Sequence, residues 1–383
     1  MVGIRSPWVQ ITSSYNTVIC WMNNTQNASS VAQSSIKLSR CILSLMPMLD
    51  PLSQVLERVR FHGMVMNRSE LHAPWGIRMH GSLNEIPPAK RRPRPEDLPP
   101  SAPEPPFPQG GLYAVLRGSC FLEVDGVPDA VSLAAGDLVV LTRPRGHSLR
   151  DSLKTPIRPM WDVLPPPTPG HPPAFTVPGK GPLTSLVCGC FIFEHRWHEQ
   201  LMSALPPVIH ISGEAGQSAS WLEDTIRLLG YETAQCRPGW QSVVNHLVHV
   251  LFVQAMRAHV AQLPKRNGNW LSALQDPAIG QALGLIYAFP GQDWSVATLA
   301  EAVVMSRSAF AARFNDVVGE PPMQCLGRLR MQVAGDLLAD VSVPIKQIAA
   351  HVGYHSEAAF SHAFRRLTGQ SPMAYRQEVV LPA

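Results

Sequence analysis

A chain of 383 residues is long enough for two or three domains, and with 45% hydrophobic and only 16% charged residues most of it can bury a core. The formal net charge of +4 is too mild to argue for or against a polyanionic partner. Seven scattered cysteines without a CxxC pair exclude a disulfide framework and suit a reducing compartment, and no apolar run reaches the length of a spanning helix.

Residues 1–47 are polar and nearly uncharged. The stretch TSSYNTVICWMNNTQNASSVAQSS has no basic lead into an apolar run, so it is not a secretory signal. It is expected to be a disordered extension, with the fold beginning at Met48 (MLDPLSQVLERVRFHG). Within 48–210, the proline-dense stretches 86–108 and 164–182 read as extended insertions, because proline fixes φ and offers no N–H. KRRPR (90–94) inside the first is read as a solvated loop rather than a nucleic-acid arm. Between the insertions, LYAVLRG (112–118) and CFLEVDG (120–126) alternate apolar residues up to glycine turns. VSLAAGDLVVLTRPRGHSL (131–149) adds two short strands around a Gly-Asp turn. Evenly spaced short strands argue for a small barrel or sandwich.

After residue 195 the period becomes helical. In PGWQSVVNHLVHVLFVQAMRAHVAQL, the residues Val243, Val244, Leu247, Val248, Leu251, Phe252, Met256 and Val260 cover more than one stripe. A helix apolar over so wide an arc is buried on two sides, so segment 211–270 is expected to pack on its own domain and on a second subunit. PKRNGN (264–269) reads as the linker to a helical domain at 271–383.

That last domain contains an internal repeat. MSRSAFAARF (305–314) and HSEAAFSHAF (355–364) share seven identities at an offset of fifty: Ser306/Ser356, Ala309/Ala359, Phe310/Phe360, Phe314/Phe364, Gly319/Gly369, Pro322/Pro372 and Met323/Met373. Each copy reads as helix, tight turn, N-capping serine and second helix, the helix-turn-helix layout. Leu299, Ala300, Phe310 and Phe314 make one small core, and Ile348, Ala349, Phe360 and Phe364 the other. Arg307, Ser308, Ala311 and Ala312, then Glu357, Ala358, Ser361 and His362, are left facing outward, where a helix can enter a major groove. MQCLGRLRMQVAGDLLA (323–339) has no internal proline and reads as one joining helix.

Residues 276–380 resemble the DNA-binding domain of AraC-type (AraC/XylS) transcriptional regulators, in MSRSAFAARF, RLRMQVAGDLL, PIKQIAAHVGY and FRRLTGQSPMAYR. DPLSQVLERVR, APWGIR, LRGSCFLEVDG, AAGDLVVL, LVCGCF and ALPPVIH resemble the branch of that family with a cupin-like sensor. The resemblance implies a multidomain α+β chain: an N-terminal cupin-like β-barrel, a helical dimerisation segment and a C-terminal all-α domain with two helix-turn-helix units. It implies a cytoplasmic, sequence-specific DNA-binding transcription regulator that needs no cofactor or membrane. Its partners would be double-stranded DNA, a second copy of the chain, RNA polymerase and an unidentified small-molecule or redox effector.

It also carries base-facing roles to the eight outward residues. Ala311 and Ala312 offer only apolar contact, for instance to a thymine methyl. Residues 276–383 hold eight Arg/Lys against nine Asp/Glu, a net of −1, so the phosphate contacts must be few and local. Arg313, Arg365 and Arg366 after the recognition segments, and Arg328 and Arg330 on the joining helix, are the candidates, with Ser306 and Ser356 as caps. Val304 stands in the first turn where the second has Gly353, so the two turns are expected to differ in geometry.

A barrel of this kind invites a rival reading as a metal enzyme, which needs clustered histidines and a carboxylate. The first barrel segment has Tyr113 and no HxH pair, and His147 alone sits where a last ligand would be. A satisfied barrel histidine is the preferred reading, with Trp75, Tyr113 and His147 as a candidate effector pocket and no metal. Cys188 and Cys190 share one face of a strand, poorly placed to bond to each other, and are candidates for redox sensing or plain buried thiols.

Overall fold

The computed structural model describes residues 8–12, 17–21, 50–58, 61–82, 85–87, 109–163, 174–193, 198–213, 219–264 and 270–380. The chain divides into two compact units, Met1–Leu49 and Asp50–Ala383. In the first, β1 (Trp8–Thr12) and β2 (Thr17–Trp21) pair antiparallel, Trp8 opposite Trp21. This corrects the expectation of a structureless extension: WVQIT and TVICW carry the β-branched and aromatic residues that suit a pleated pair. The rest of 1–47, the KRRPR run and the linker residues 265–269 lie outside the described residues.

The second unit opens with α1 (Pro51–Arg58), capped by the Asp50 carboxylate, which accepts from the Ser53 amide at 3.1 Å. Two sheets follow. The larger has the order β11 (Ala174–Val177), β3 (Phe61–His72), β12 (Leu183–Phe193), β5 (Gly110–Arg117), β8 (Leu138–Leu141), β13 (Val208–Ile211). The smaller has the order β10 (Arg158–Pro159), β4 (Gly76–Met79), β9 (His147–Arg150), β6 (Ser119–Val124), β7 (Val131–Ala134). Tyr113, Val115, Val139, Leu141 and Leu186 of the larger sheet meet Ile77, Leu122, Leu133 and Leu149 of the smaller in one core. The alternate residues of the larger sheet, Leu112, Ala114, Leu138, Val140 and Val187, lie under helices on its other side. That double burial is why LVVL (138–141) reads as an unbroken apolar run.

Three strand expectations need correction. The second proline-rich insertion is shorter than 164–182, because AFTV folds as β11, parallel to β3, with Phe175 in the core between the two sheets, which form a sandwich rather than the expected closed barrel. Segment 131–149 supplies a third strand, β9, beyond the expected two. The longest strand, β3, was not expected at all, since FHGMVMNRSELH mixes polar residues with few apolar ones.

The helical segment comprises α2 (His198–Ser203), α3 (Ala219–Gln235) and α4 (Trp240–Gln262). Val244, Val248, Leu251, Phe252, Met256 and Val260 of α4 all turn into the core of this chain. Most of the wide arc expected to serve a second subunit is therefore used internally, against β3 and α3. What stays exposed is narrower: Leu228 and Tyr231 on α3, Val243 and Val250 on α4.

The C-terminal part begins with a single 3-10 turn, Ser272–Gln275, and runs through α5 (Pro277–Ala288), α6 (Val296–Ala302), α7 (Arg307–Val318), α8 (Pro322–Leu338), α9 (Ile345–His351), α10 (Glu357–Thr368) and α11 (Pro372–Val380). Helix α1 bridges the two parts: its Leu52 and Leu56 lie in the core beneath the larger sheet, its Val55 in the core of the C-terminal helices.

Candidate nucleic-acid interface

Helix α6 starts from a capping box. The Ser295 hydroxyl accepts from the Thr298 amide at 3.1 Å, while the Thr298 hydroxyl accepts from the Ser295 amide at 2.8 Å. A turn leads to Ser306, whose hydroxyl accepts from the Ala309 amide at 3.3 Å to start α7. The second unit repeats this at Ser356, which accepts from the Ala359 amide at 3.2 Å to start α10. Both second helices stop at a left-handed glycine, Gly319 (φ 87°) and Gly369 (φ 80°), where an L side chain would be strained. Phe310 and Phe314 pack with tilted rings 5.6 Å apart in one unit, as do Phe360 and Phe364 in the other, and all four are fully buried. The expected joining helix is α8, seventeen residues from Pro322.

The two turns share a geometry, against expectation. Val304 has φ 56° and Gly353 φ 78°, and the next amide in each case bonds back into the preceding helix: Met305 to Ala300 O and Tyr354 to Ala349 O, both at 2.9 Å. A β-branched residue pays steric strain to hold this conformation. The real difference is length. The second turn contains one additional residue, His355, so the helices before the turns are offset by forty-nine positions and those after by fifty.

Along the outward side, Arg307, Ser308, Ala312, Glu357, Ala358 and His362 are exposed, and Ala311 and Ser361 half-buried. The proposed phosphate contacts divide sharply. Arg365 and Arg366 are exposed in the last turn of α10. Arg328 instead pairs with Glu320 beside the buried Cys325, and that pairing holds its guanidinium above the ordinary range although burial opposes it. Arg330 donates to Pro290 O and Gln292 O, each at 2.8 Å, and lies over the Tyr354 ring. Burial lowers its pKa, which is still the pKa of a permanent cation. Arg313 donates from Nε to Asp276 Oδ2 at 2.8 Å. These three arginines are engaged within the domain: Arg328 and Arg330 are half-buried on α8, and the half-exposed Arg313 is held by Asp276. Arg376 likewise donates to Leu338 O and Val343 O. The exposed cations of the domain that remain are Arg307, Lys346, Arg365 and Arg366.

Between the two sheets, Trp75 and Tyr113 lie in one buried cluster with Cys120 and Cys188, and the buried His147 joins it through Tyr113. His147 Nδ1 lies 2.8 Å from Arg145 O and its Nε2 bonds the Tyr113 hydroxyl. A carbonyl can only accept, so Nδ1 carries the proton and Nε2 accepts from Tyr113. Burial holds His147 neutral, lowering its pKa to about 4, and pushes the Tyr113 hydroxyl well up. With both ring nitrogens engaged, the histidine is a satisfied one. Among the described residues no three His, Cys, Asp or Glu side chains gather where they could share a metal ion. The Trp75 indole N–H, in contrast, has no partner among the described residues. Cys188 and Cys190 are both buried, and burial raises the Cys188 thiol to about 12, which opposes thiolate chemistry there.

Residues 50–261 match the family described as cupin, more than half of the chain, and residues 299–378 match the helix-turn-helix domain family. A putative AraC-like transcription regulator of Streptomyces lividans is 34% identical over 271 residues, covering 70% of this chain and 87% of the relative. The chain belongs to the AraC-type transcription regulators. It is accordingly a DNA-binding transcription regulator with a cupin N-terminal domain. Another relative, the HTH-type transcriptional regulator AlkR of Acinetobacter baylyi, is 41% identical over 181 residues, 46% of this chain and 58% of that one. Among solved structures, the DNA-binding domain of AdpA, the global transcriptional factor, in complex with a target DNA, is 31% identical and covers 28% of this chain and 96% of that chain, with a TM-score of 0.26. Among the described residues no helix of this AraC-type regulator is long and apolar enough to cross a membrane.

The internal partners of Arg313, Arg328 and Arg330 and the left-handed conformation of Val304 were not foreseen in the sequence, although the Val304/Gly353 difference was visible there. At the offset of fifty, Arg313 aligns with Ala363, which the structure buries, whereas Arg313 is half-exposed and paired with Asp276.

Proposed function

We propose that the chain acts as a cytoplasmic homodimer. Its two helix-turn-helix units read neighbouring major-groove segments of one operator, while the sandwich senses a small molecule. The observation that carries this reading is the pair of serine-capped, glycine-stopped helices α7 and α10, held on one joining helix with their non-core sides exposed. Arg307, Ser308, Ala311 and Ala312 would face bases in one segment, Glu357, Ala358, Ser361 and His362 in the other. Arg365 and Arg366 would meet phosphates. Helix α8 is roughly 25 Å long at about 1.5 Å per residue, so with the width of the flanking units it can set α7 and α10 about one duplex turn apart. Trp75, Tyr113 and His147 are the effector-facing candidates, with the unpaired Trp75 N–H as the free donor. The exposed apolar residues of α3 and α4 would meet the second copy, and RNA polymerase is the partner through which binding would act on transcription. A catalytic role is not part of this reading.

Selection of duplexes from a random library with the full-length protein tests the reading. The selected site should contain two preferred segments per domain, and inserting five base pairs between them should abolish specific binding by turning one segment to the opposite side of the duplex. With Arg313 held by Asp276, the four other exposed cations of the domain limit the salt dependence: a slope of log K on log salt no steeper than about −4 per bound domain is expected. Unchanged affinity after the insertion would mean that one unit alone reads DNA.

A further inference from the structure

The turn Ser272–Gln275 lies between two helices of different duty: the end of α4, from the sensor part, and α7, the first recognition helix. Its residues are tied to both. The Gln275 side-chain amide donates to Val260 O, which also accepts from the Leu263 amide that caps α4, and to Leu263 O at 3.2 Å, and so ties the turn to the end of α4. Leu271, just before the turn, is fully buried in the core that α4 shares with the larger sheet.

The next residue, Asp276, divides its carboxylate. Oδ1 accepts from the Ala278 and Ile279 amides, both at 3.1 Å, and caps α5. Oδ2 accepts from Arg313 of α7, at 2.8 Å from Nε and 2.7 Å from the terminal nitrogen. Two adjacent residues therefore connect the last carbonyls of α4 to a recognition helix by side-chain hydrogen bonds alone. The second unit has no counterpart for this bridge, because Ala363 stands where Arg313 would be and is buried in the core.

We propose that Gln275, Asp276 and Arg313 are positioning residues that set the seat of α7 from the end of α4, so that the sensor part controls the first helix-turn-helix unit and leaves the second to bind independently of it. The inference rests on the reading of α7 as a DNA-contacting helix. Its physical sense is that a repeat with two readers needs only one of them to be adjustable: α10 supplies constant affinity, and tilting α7 by the way Arg313 is held adds or removes the other half. Coupling of this kind changes an affinity by about 5-fold or more.

The test uses the full-length dimer and an operator selected by the wild-type chain. The half of the site read by α7 is identified as the half whose base preference changes with Arg307→Ala, and the α10 half as the one that changes with His362→Ala. Gln275→Ala and Asp276→Asn are then compared; asparagine keeps the cap on α5 while losing the charge that holds Arg313. Each variant should lose about 5-fold or more in affinity for the intact site, and nothing for a site whose α7 half is scrambled. The double variant should lose little more than either single one, as members of one chain of contacts do. Urea unfolding of each variant reports any general loss of stability. Equal losses on intact and α7-scrambled sites, or no loss on either, would overturn the proposal. A wild-type chain that enriches no site at all overturns the DNA reading beneath it, which a wild-type site with unaffected variants does not.

Discussion

Replacing Val304 with glycine should stabilise the protein. Val304 holds φ 56° with a side chain 94% exposed, so its removal costs no burial. A left-handed L residue is strained by about 1–2 kcal/mol, and a β-branched one sits at the upper end. Glycine relieves that strain but gives back about 0.5–1 kcal/mol through the greater freedom of the unfolded chain. The net gain is about 1 kcal/mol, which raises a urea midpoint by about 0.3 M for a chain of this size. The reverse change, Gly353→Val, is the control. A Cβ at Gly353 would meet Arg330 Nη2 and Gly291 O at 2.7 Å each, and Arg330 is itself fixed to Pro290 O and Gln292 O. Overpacking together with left-handed strain should there cost about 2–5 kcal/mol. Equilibrium urea unfolding followed by far-ultraviolet dichroism measures both. A Val304→Gly midpoint equal to or below the wild type would refute the strain argument and point to a contact made by that exposed valine.

Arg307→Ala should relax preference at one base position at a cost of about 1–3 kcal/mol, whereas Arg366→Ala should weaken all sequences alike and make the salt slope shallower; binding across a site library separates the two. Acid should destabilise the sandwich through His147. Its folded pKa of about 4 lies below the ordinary 6.5, so the unfolded chain takes the proton first as pH falls. Stability is then lost progressively between about pH 6.5 and pH 4, by about 3 kcal/mol in all, and His147→Gln should flatten that part of the stability-against-pH curve in denaturant titrations. Leu228→Glu or Val250→Glu should weaken dimerisation in sedimentation at micromolar concentration while leaving the helical content intact. Leu251→Ala, fully buried, should instead cost about 2–5 kcal/mol of folding stability.

The sequence alone determined the parts of this regulator whose causes are local. Capping serines at 306 and 356 and the phenylalanine pairs act within one or two helical turns, so the repeat announced the starts of both second helices, and the joining helix to within a residue. The alternating runs of β5 and β6 and the unbroken apolar run of β8 were legible for the same reason. Tertiary structure decided whatever depends on a distant partner. Strand β3 pairs with β12 over its whole length, and that pairing holds a polar sequence in a strand that its own pattern would not specify. The arc of α4 gave its width but not its owner, since an apolar residue reads the same whether its own sheet or a second subunit covers it. Most of all, an arginine in a sequence is only a mobile cation. Whether it meets a phosphate or, like Arg313, Arg328 and Arg330, is claimed by a carboxylate or carbonyl eight to forty positions away is fixed by which groups the fold brings within reach.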